Sequence, residues 1–309
     1  MATATVLRAG GGVYDVELED GTVAEASIRG RLKLQQRTGD RVVAGDVVRV
    51  DSQPDGSLTI EDVQPRRSQL VRRAPGHARR AKVIVANVDR VVIVFAAASP
   101  EPNARLVDRF LVIAEANHLD PLIVLNKTDL VDAPAVDAFL RPYTTAGYEA
   151  IRTSVPASEG LDELRGRLTN ARSVVTGPSG AGKSSLLNAV QPGLGLRIGE
   201  VSEAVGKGRH TTVAARLIRL DCGGYVADTP GLRELGLWGI SPKELPDCFP
   251  EIRARAGECR FTRSCSHTHE PGCAVTDAVA SGAMDRGRYE SYCVLLDEAQ
   301  QAPRQRSRQ

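Results

Sequence analysis

The sequence predicts a multidomain protein in which an OB-type β-barrel, a doubly wound α/β domain and a helical C-terminal region follow one another. Residues 1–65 contain five short β-type runs, residues 83–235 alternate buried strands with helices, and the remainder is helix-leaning with a Cys/His cluster. The 309 residues are enough for two or three domains of roughly 100–200 residues each. We place the domains at residues 1–70, 71–235 and 236–309.

The N-terminal β-type runs are short and separated by turn dipeptides such as Asp20-Gly21 and Asp55-Gly56. The runs are Thr3–Leu7, Val13–Leu18, Val23–Ile28, Val47–Val50 and Leu58–Ile60. Five such strands fit a small closed barrel of the OB type. The pattern leaves two roles open for it, nucleic-acid binding and a purely structural β-module.

A basic connector with a Pro-Gly break follows the barrel at residues 66–82. Its cations are Arg66, Arg67, Arg72, Arg73, Arg79, Arg80 and Lys82. Such a run of charge is compatible with a solvated linker and with contact to RNA phosphates.

The α/β prediction rests on the change of pattern after residue 83. Val88–Phe95 is a continuous apolar run, as expected of a parallel strand covered on both faces. Asn103–Asn117 has helical spacing, with Asn103 as its N-cap. Further strands are predicted at Pro121–Leu125, Tyr148–Ile151, Arg172–Thr176, Ala215–Leu220 and Gly224–Ala227, and helices at Val136–Tyr143 and Leu161–Leu168. A doubly wound α/β domain accommodates this order.

A phosphate-binding loop lies inside this α/β region. The residues Gly177, Pro178, Ser179, Gly180, Ala181, Gly182, Lys183, Ser184 and Ser185 fit G-x-x-x-x-G-K-[ST], between a predicted strand and a predicted helix. The glycines let backbone N–H groups turn toward phosphate oxygens, and the helix N-terminus adds partial positive charge. Lys183 can reach the β- and γ-phosphates, and the Ser184 hydroxyl can bind Mg²⁺. The loop therefore predicts a nucleoside-triphosphate site.

A tetrapeptide at the end of another predicted strand indicates which base is bound. Asn126, Lys127, Thr128 and Asp129 follow Pro121–Leu125, and ligands bind at the carboxyl ends of strands in open α/β sheets. The Asp129 carboxylate can accept from guanine N1–H and the 2-amino group together, and adenine offers no such pair. Asn126 can support the base from the O6 side, while the Lys127 stem packs over its face. The segment predicts GTP and GDP as ligands.

Three further positions are candidates for the same site. Ser154 follows the strand that ends at Ile151 and is a candidate contact to the base. In the sequence Asp228-Thr229-Pro230-Gly231, Asp228 would hold Mg²⁺ through water, and the Gly231 N–H would meet the γ-phosphate.

The loop over residues 206–213 would supply the remaining catalytic groups. Either Thr211 or Thr212 would provide a second hydroxyl to the metal. Leu232 stands where Ras-like enzymes carry a water-orienting glutamine, so we expect slow intrinsic hydrolysis. His210 is either the group that orients the attacking water or a solvent-exposed loop residue.

The motifs occur in an unusual order, because N-K-T-D precedes the P-loop instead of following it. The termini of α/β domains commonly lie near each other, so the same sheet can form if the ends are joined and the chain is opened elsewhere. A circularly permuted GTPase domain is therefore predicted. Its switch segment leads directly into the C-terminal region, so nucleotide state could move that region as a lever.

The C-terminal region carries a candidate metal site in CRFTRSCSHTHEPGC. The thiolates of Cys259, Cys265 and Cys273 with the imidazole of His267 would form a closed tetrahedral structural zinc site. His269 is a rival ligand. The other cysteines lie in more apolar settings and are expected to be buried thiols: Cys222, Cys248 and Cys293.

Composition and charge limit the remaining options. The net charge is only +2, so polyanion binding would need local basic clusters, and 4% aromatic residues argue against a stacking-rich single-strand surface. No apolar run approaches the roughly 20 residues of a membrane span, and the N-terminus lacks the layout of a signal peptide. In a reducing compartment, six cysteines suggest metal ligation or isolated buried thiols instead of a disulfide framework. We expect a cytoplasmic protein with no membrane partner.

Together the motifs resemble one family, the ribosome small-subunit-dependent GTPases known as RsgA or YjeQ. The resemblance covers essentially the whole chain and rests on the order N-K-T-D, G-P-S-G-A-G-K-S-S, G-R-H-T-T, D-T-P-G-L-R-E-L-G-L-W and the cysteine cluster. It implies an OB-fold, a permuted GTPase domain and a zinc-binding domain. It also implies late maturation of the small (30S) ribosomal subunit, 16S rRNA contacts and GTP hydrolysis stimulated by that subunit.

The resemblance also extends to individual positions in the switch segments. Family members have a hydrophobic residue after D-x-P-G, matched by Leu232, and a switch-loop histidine, matched by His210. Val213 replaces the usual third threonine. Two rival functions stay open, a GTPase acting on tRNA or another ribonucleoprotein, and an RNA-binding scaffold with a structural nucleotide. We expect a monomer that uses Mg²⁺ and one Zn²⁺.

Overall fold

The computed structural model describes residues 1–30, 41–73, 81–196, 215–228, 240–262 and 264–301. The first unit is a closed five-stranded barrel. Its strands are β1 (Ala2–Gly10), β2 (Val13–Leu18), β3 (Val23–Ile28), β4 (Val47–Ser52) and β5 (Leu58–Val63). They pair in the order β1-β2-β3-β5-β4, and β4 returns to pair with β1. Closure pairs both edges of the sheet, and the predicted OB-type barrel is confirmed.

Alternation of side chains builds the core of the barrel. The inward positions of its strands are small or β-branched apolar residues, among them Val6, Val16, Val48 and Ile60, all buried. Branched side chains pack well on a pleated surface. The predicted limits of β2 and β3 are those observed, whereas the other strands extend beyond their predicted apolar runs.

Two paired strands occupy part of the predicted connector at residues 66–82. Strands β6 (Gln69–Arg73) and β7 (Ala81–Ala86) pair antiparallel, and Leu70 and Val85 are buried in the neighbouring core. The linker prediction missed these strands because the arginines mask the apolar positions between them. Arg66 is paired with the buried Asp46, with Arg66 Nε 2.7 Å from Asp46 Oδ1. Arg79 and Arg80 lie outside the described residues.

The α/β domain contains a six-stranded sheet with helices on both faces. Its strands are β8 (Arg90–Ala96), β9 (Asp120–Asn126), β10 (Glu149–Thr153), β11 (Arg172–Thr176), β12 (Arg216–Arg219) and β13 (Tyr225–Asp228). Its helices are α1 (Ala104–Ala116), α2 (Ala133–Thr145), α3 (Leu161–Leu168) and α4 (Lys183–Val190). The order is β10-β9-β8-β11-β13-β12, with β12 antiparallel to β13 and the other pairs parallel.

This strand order accounts for the permuted motifs. The P-loop follows β11, which lies in the middle of the sheet between β8 and β13. The N-K-T-D segment follows β9, which enters the sheet earlier in the chain but lies next to β8. Apolar clusters cover both faces, with Phe95 and Leu111 in one and Leu122 and Leu186 in the other. The predicted doubly wound α/β domain is confirmed.

Local capping explains where the helices of this domain begin. Asn103 caps α1 as predicted, and its side chain accepts from the Leu106 N–H at 3.1 Å. Helix α2 begins three residues before its predicted start, because Asp132 caps it by accepting from the Ala135 N–H at 3.0 Å. The apolar periodicity alone does not reveal this first turn.

The barrel and the α/β sheet join edge to edge. Strand β1 pairs antiparallel with β12 at Arg8 and Arg216, so eleven strands form one continuous sheet. The buried Glu17 accepts from Arg219 and from the Tyr225 hydroxyl, on β12 and β13. Arg172 adds hydrogen bonds of 3.1 Å to barrel atoms Gly45 O and Thr5 Oγ1.

The C-terminal module is helical, as predicted. It contains α5 (Pro250–Arg253), α6 (Ala274–Ala280) and α7 (Arg286–Gln301), with short 3₁₀ turns at Leu245–Cys248 and Ala256–Glu258. Its apolar core includes Val112 of α1, so the module is packed on the α/β domain. Among the described residues, no helix combines the length and apolar composition needed to cross a membrane.

Candidate nucleotide-binding site and metal centre

The P-loop lies close against the ends of two neighbouring strands, and glycine permits that approach. Gly177 has φ +137°, and a Cβ there would lie 2.0 Å from Val94 O on β8. Gly182 has φ +88°, and a Cβ there would lie 2.5 Å from Asn126 Nδ2. Both positions combine left-handed backbone with no room for a side chain. The loop is therefore held in one path by contacts that only glycine allows.

Lys183 and Ser184 occupy the first turn of α4 and are almost completely buried. The Lys183 ammonium donates to Gly177 O at 2.9 Å and to Pro178 O at 2.7 Å, so it lies within the curve of the loop. The first N–H groups of a helix have no partner within the helix, and they favour anions. The loop, the ammonium and the helix start together form a phosphate-binding arrangement.

Asn126 connects the N-K-T-D segment to the P-loop. Its side chain is buried, its Nδ2 donates to Ala181 O at 3.0 Å, and its Oδ1 accepts from Thr153 Oγ1 at 3.1 Å. The two bonds fix the orientation of the amide. The strand end that carries Asp129 is thereby fastened to the loop that carries Lys183.

Asp129 is exposed at the mouth of this site, and Ser154 orients its carboxylate. The Ser154 hydroxyl donates to Asp129 Oδ1 at 2.6 Å and accepts from the Ala157 N–H at 3.2 Å. A hydroxyl has one donor and two acceptor sites, so Ser154 can accept from Ala157 and donate to Asp129 at once. The Ser154 N–H donates to Glu159 O at 3.1 Å. The structure thus places Ser154 as a support of Asp129.

Lys127 and Thr128 complete the turn between β9 and Asp129. Lys127 has φ +61°, and its ammonium donates to Ser99 O in the loop after β8. The Thr128 hydroxyl donates to Thr153 O at 3.1 Å. In the same loop, Pro100 Cδ would lie 3.1 Å from a Cβ at Gly180 of the P-loop. The segment after β8 therefore forms a wall beside the nucleotide site.

The remaining candidates for this site lie largely outside the described residues. This applies to His210, Thr211, Thr212, Gly231 and Leu232. Strand β13 ends at Asp228, and it pairs with β11 through Ala227 and Val174. The chain therefore reaches Asp228 at the same sheet edge as the P-loop.

The four predicted zinc ligands converge in the C-terminal module. The ligand atoms of Cys259, Cys265, His267 and Cys273 all lie within 4.8 Å of one another. Cys259 Sγ is 3.8 Å from Cys273 Sγ, and His267 Nδ1 is 3.5 and 3.6 Å from those sulfurs. A tetrahedron with Zn–S of about 2.3 Å and Zn–N of about 2.0 Å has edges of about 3.8 and 3.5 Å. Cys259, His267 and Cys273 match these edges, Cys265 Sγ lies within 4.8 Å of their ligand atoms, and the donor set is of the kind that zinc binds.

The positions of His269 and of the three cysteines outside the cluster show which of them are exposed and which are buried. His269 is exposed and lies outside the cluster. Cys248 is buried as expected, whereas Cys222 and Cys293 are only half-buried. Burial lowers the pKa of His267, which favours the neutral imidazole that binds metals.

Hydrogen bonds around the cluster fix the ligand loop. Tyr289 and Tyr292 of α7 donate their hydroxyls to His267 O at 2.9 Å and to Ser266 O at 2.7 Å. Burial alone would raise the pKa of Glu270, but hydrogen bonds from Ser266 and neighbouring backbone N–H groups hold it well below its usual range. A carboxylate acceptor and two tyrosines thus support the loop.

Comparison with known proteins agrees with this geometry. The sequence model of the RsgA GTPase family matches residues 63–238. The chain belongs to the RsgA GTPase family. The protein named small ribosomal subunit biogenesis GTPase RsgA from Gemmatimonas aurantiaca is 49% identical over 298 residues, covering 96% of this chain and 97% of that protein. The protein of the same name from Moorella thermoacetica is 44% identical over 294 residues, covering 95% and 96%.

Solved structures of similar proteins support the fold of this RsgA GTPase family member. The crystal structure of YjeQ from Thermotoga maritima has a TM-score of 0.80 and 34% identity, and the match covers 96% of this chain and 98% of that one. YloQ, described as a circularly permuted GTPase, has a TM-score of 0.77 and 31% identity, with coverage of 97% and 95%.

Sequence reasoning missed two supports of the RsgA-type nucleotide site. Thr153, which orients Asn126, and Ser99, which binds Lys127, carry no motif of their own. A signal for Thr153 did exist, because it is the last residue of β10 and pairs in register with Asn126. Residues that end adjacent parallel strands lie side by side, so the pairing could have been inferred once the strand order was known.

Proposed function

We propose that this protein hydrolyses GTP during late maturation of the small (30S) ribosomal subunit, and that this subunit stimulates the hydrolysis. Membership of the RsgA GTPase family supports the reaction, and the names of the relatives support the ribosomal partner. The observation that carries the proposal is the Asn126 amide. It holds the guanine-reading segment and the phosphate-binding loop together as one site.

Within this proposal, each described residue of the site has a distinct task. Asp129 accepts from guanine N1–H and the 2-amino group, with its carboxylate oriented by Ser154. The Lys127 stem packs on the base, and Thr128 keeps the turn in place. Lys183 turns from its loop carbonyls to the β- and γ-phosphates.

The P-loop backbone would hold the phosphates themselves. The residues that form this cradle are Gly177, Pro178, Ser179, Gly180, Ala181, Gly182 and Ser185 with Lys183 and Ser184. Its left-handed glycines support the role, because they direct successive N–H groups toward an anion. Ser184 and Asp228 would hold Mg²⁺, which neutralises charge on the β- and γ-phosphates.

The switch segments would supply the hydrolytic groups. In this proposal Gly231 donates its N–H to the γ-phosphate, Thr211 or Thr212 contributes a hydroxyl toward the metal, and His210 orients the water. Since Leu232 cannot polarise water, the intrinsic rate is low, and the particle that binds the protein raises it. The proposed function therefore includes stimulation of GTP hydrolysis by the partner.

The domain limits of residues 1–70, 71–235 and 236–309 form part of the same proposal. We propose that the barrel and the zinc module contact 16S rRNA while the central domain binds the nucleotide. A structural zinc ion would hold the C-terminal module, supported by the donor spacing of its Cys₃His cluster. A ribosomal partner also supports a cytoplasmic location, and we propose that the protein acts as a monomer.

The test is GTP turnover by the purified protein, alone and with small subunits, large subunits or whole ribosomes. We expect slow turnover alone, strong stimulation by small subunits, and no hydrolysis of ATP. Stimulation by a different ribonucleoprotein would transfer the function to that particle. Slow turnover unaffected by every particle would favour an RNA-binding scaffold whose bound nucleotide is structural.

A further inference from the structure

A turn between the first two zinc ligands presents an exposed aromatic ring. Phe261 is 43% exposed, whereas every other aromatic side chain in the described part of the chain is buried or half-buried. A single exposed apolar residue is common and proves nothing by itself. The backbone hydrogen bonds around Phe261 and the arginine beside it distinguish it from an isolated exposed residue.

Backbone hydrogen bonds hold Arg260 and Phe261 in place on either side of their shared peptide. Phe261 O accepts from the Ser264 N–H at 3.0 Å and from the Cys265 N–H at 2.8 Å, while the Arg260 N–H donates to Gly272 O at 3.0 Å. The ligands Cys259 and Cys265 flank the turn on either side. Because the backbone of Phe261 is already bonded, less conformational entropy is lost there when a partner binds.

Arg260, which has no ion-pair partner among the described residues, lies over the same ring. The Arg260 guanidinium carbon is 5.7 Å from the centre of the Phe261 ring, within cation–π distance. Arg253 and Arg288 of the same module are paired with carboxylates. Among the described residues Arg260 has no carboxylate within ion-pair distance, and its side chain is exposed. Its positive charge is therefore available to an external anion.

We propose that Arg260 and Phe261 form an RNA contact, in which the ring stacks on an unpaired base and the guanidinium binds a neighbouring phosphate. An aromatic face next to an arginine is the combination with which proteins bind single-stranded RNA. The proposal rests on the proposed function, because the RNA of the small subunit is the source of the base. One ring of this kind is also consistent with the low aromatic content, since a single stacked base needs no extended platform.

The first test measures binding of the full-length, zinc-containing protein to purified small ribosomal subunits with a non-hydrolysable GTP analogue. Phe261→Ala should weaken binding about 5- to 150-fold, the range for loss of one stacked base. Phe261→Trp should restore it, and Thr262→Ala in the same turn should leave it unchanged. Equal zinc content and melting curves of the variants show that the turn is intact.

Salt dependence separates the arginine from the ring. Arg260→Gln removes one phosphate contact, so the slope of log affinity against log salt concentration should become shallower by about 0.7 to 0.9. Phe261→Ala should leave that slope unchanged, because stacking releases no counterions. An unchanged slope in Arg260→Gln would contradict the phosphate contact.

Cross-linking decides between RNA and protein as the occupant. With Phe261 replaced by photoreactive p-benzoylphenylalanine, irradiation on small subunits should give a product that ribonuclease shortens. A product with a ribosomal protein alone would overturn the RNA contact in favour of a protein partner.

If the wild type binds small subunits and Phe261→Ala binds equally well, this inference alone fails. If the wild type binds no small subunits, the proposed function fails and this contact with it.

Discussion

At the scale of single residues, the nucleotide site depends on side chains that orient other side chains. The motifs predict the chemistry of Asp129 and Lys183, but Ser154 and Thr153 determine the directions of Asp129 and Asn126. The motifs were recognisable because G-x-x-x-x-G-K-S and N-K-x-D are local in sequence. Their supports were not, because Thr153 lies far along the chain from Asn126, and only strand pairing brings the two together.

Asp129→Asn tests the reading of guanine. In the variant, the side-chain carbonyl of the new asparagine can still accept from Ser154, so the amide N–H₂ faces the base. That N–H₂ group can donate to the 2-oxo group of xanthine, but it cannot pair with the 2-amino group of guanine. GTP affinity should fall about 100-fold or more, because the bound base leaves donors unpaired, and affinity for xanthosine triphosphate should rise. Titration with both nucleotides measures the change.

Asp162→Asn is the matched control, since Asp162 is an exposed carboxylate on α3. It should leave both affinities unchanged. Equal losses for GTP and xanthosine triphosphate in Asp129→Asn would indicate a structural role for Asp129 and contradict base reading.

At the scale of elements, the loop that carries the Cys₃His cluster and the helices around it form one unit. Cys259 and Cys273 belong to the same apolar cluster as Phe249, Val275 and Tyr292, so the ligands are part of the core of the module. The sequence predicted the ligand set but left His269 as a rival. The fold excludes His269, because the loop directs His267 inward while His269 is exposed.

Paired histidine variants test the metal site. His267→Ala should lower the zinc content from about one ion per chain to a small fraction and destabilise α6 and α7, because a structural zinc site contributes directly to folding. His269→Ala should keep both the metal and the helices. Elemental analysis gives the zinc content, and amide hydrogen exchange reports the helices. Loss of zinc in His269→Ala with retention in His267→Ala would reverse the ligand assignment.

At the scale of the whole molecule, two polar interfaces attach the outer units to the central domain. On the barrel side, Glu17 accepts from Arg219 and Tyr225 on the strands adjacent to the switch segments. On the other side, Arg288 binds Asp108 of α1 at 2.5 Å and Glu251 at 2.8 Å, and its guanidinium lies 4.8 Å from the Phe249 ring centre. A movement of the C-terminal module as a lever must therefore break this network or carry α1 with it.

Arg288 is charged throughout the accessible pH range. Burial alone would lower the pKa of Arg288, but the carboxylates of Asp108 and Glu251 outweigh burial and raise it. Arg288→Met should cost about 3–5 kcal/mol of the free energy of unfolding, because it leaves buried carboxylates without their partner. Arg109→Met removes the exposed pair with Glu298 and should cost only about 0–1 kcal/mol.

Urea unfolding of the two arginine variants at one pH measures these costs. The larger loss should coincide with increased hydrogen exchange at the contact between α1 and α7. Similar costs for Arg288→Met and Arg109→Met would show that the buried network does not hold the module in place.

The sequence by itself determined the class of each unit, the nucleotide motifs and the Cys/His cluster, because these depend on residue periodicity and short-range spacing. Asn103 as a cap, the five barrel strands and the Cys₃His set could all be read locally. The tertiary structure alone decided that Arg66 pairs with Asp46, that Asn126 fastens the P-loop, and that Arg288 joins the module to α1. Each of these contacts joins residues distant along the chain, so its free energy exists only once the strands and helices have packed.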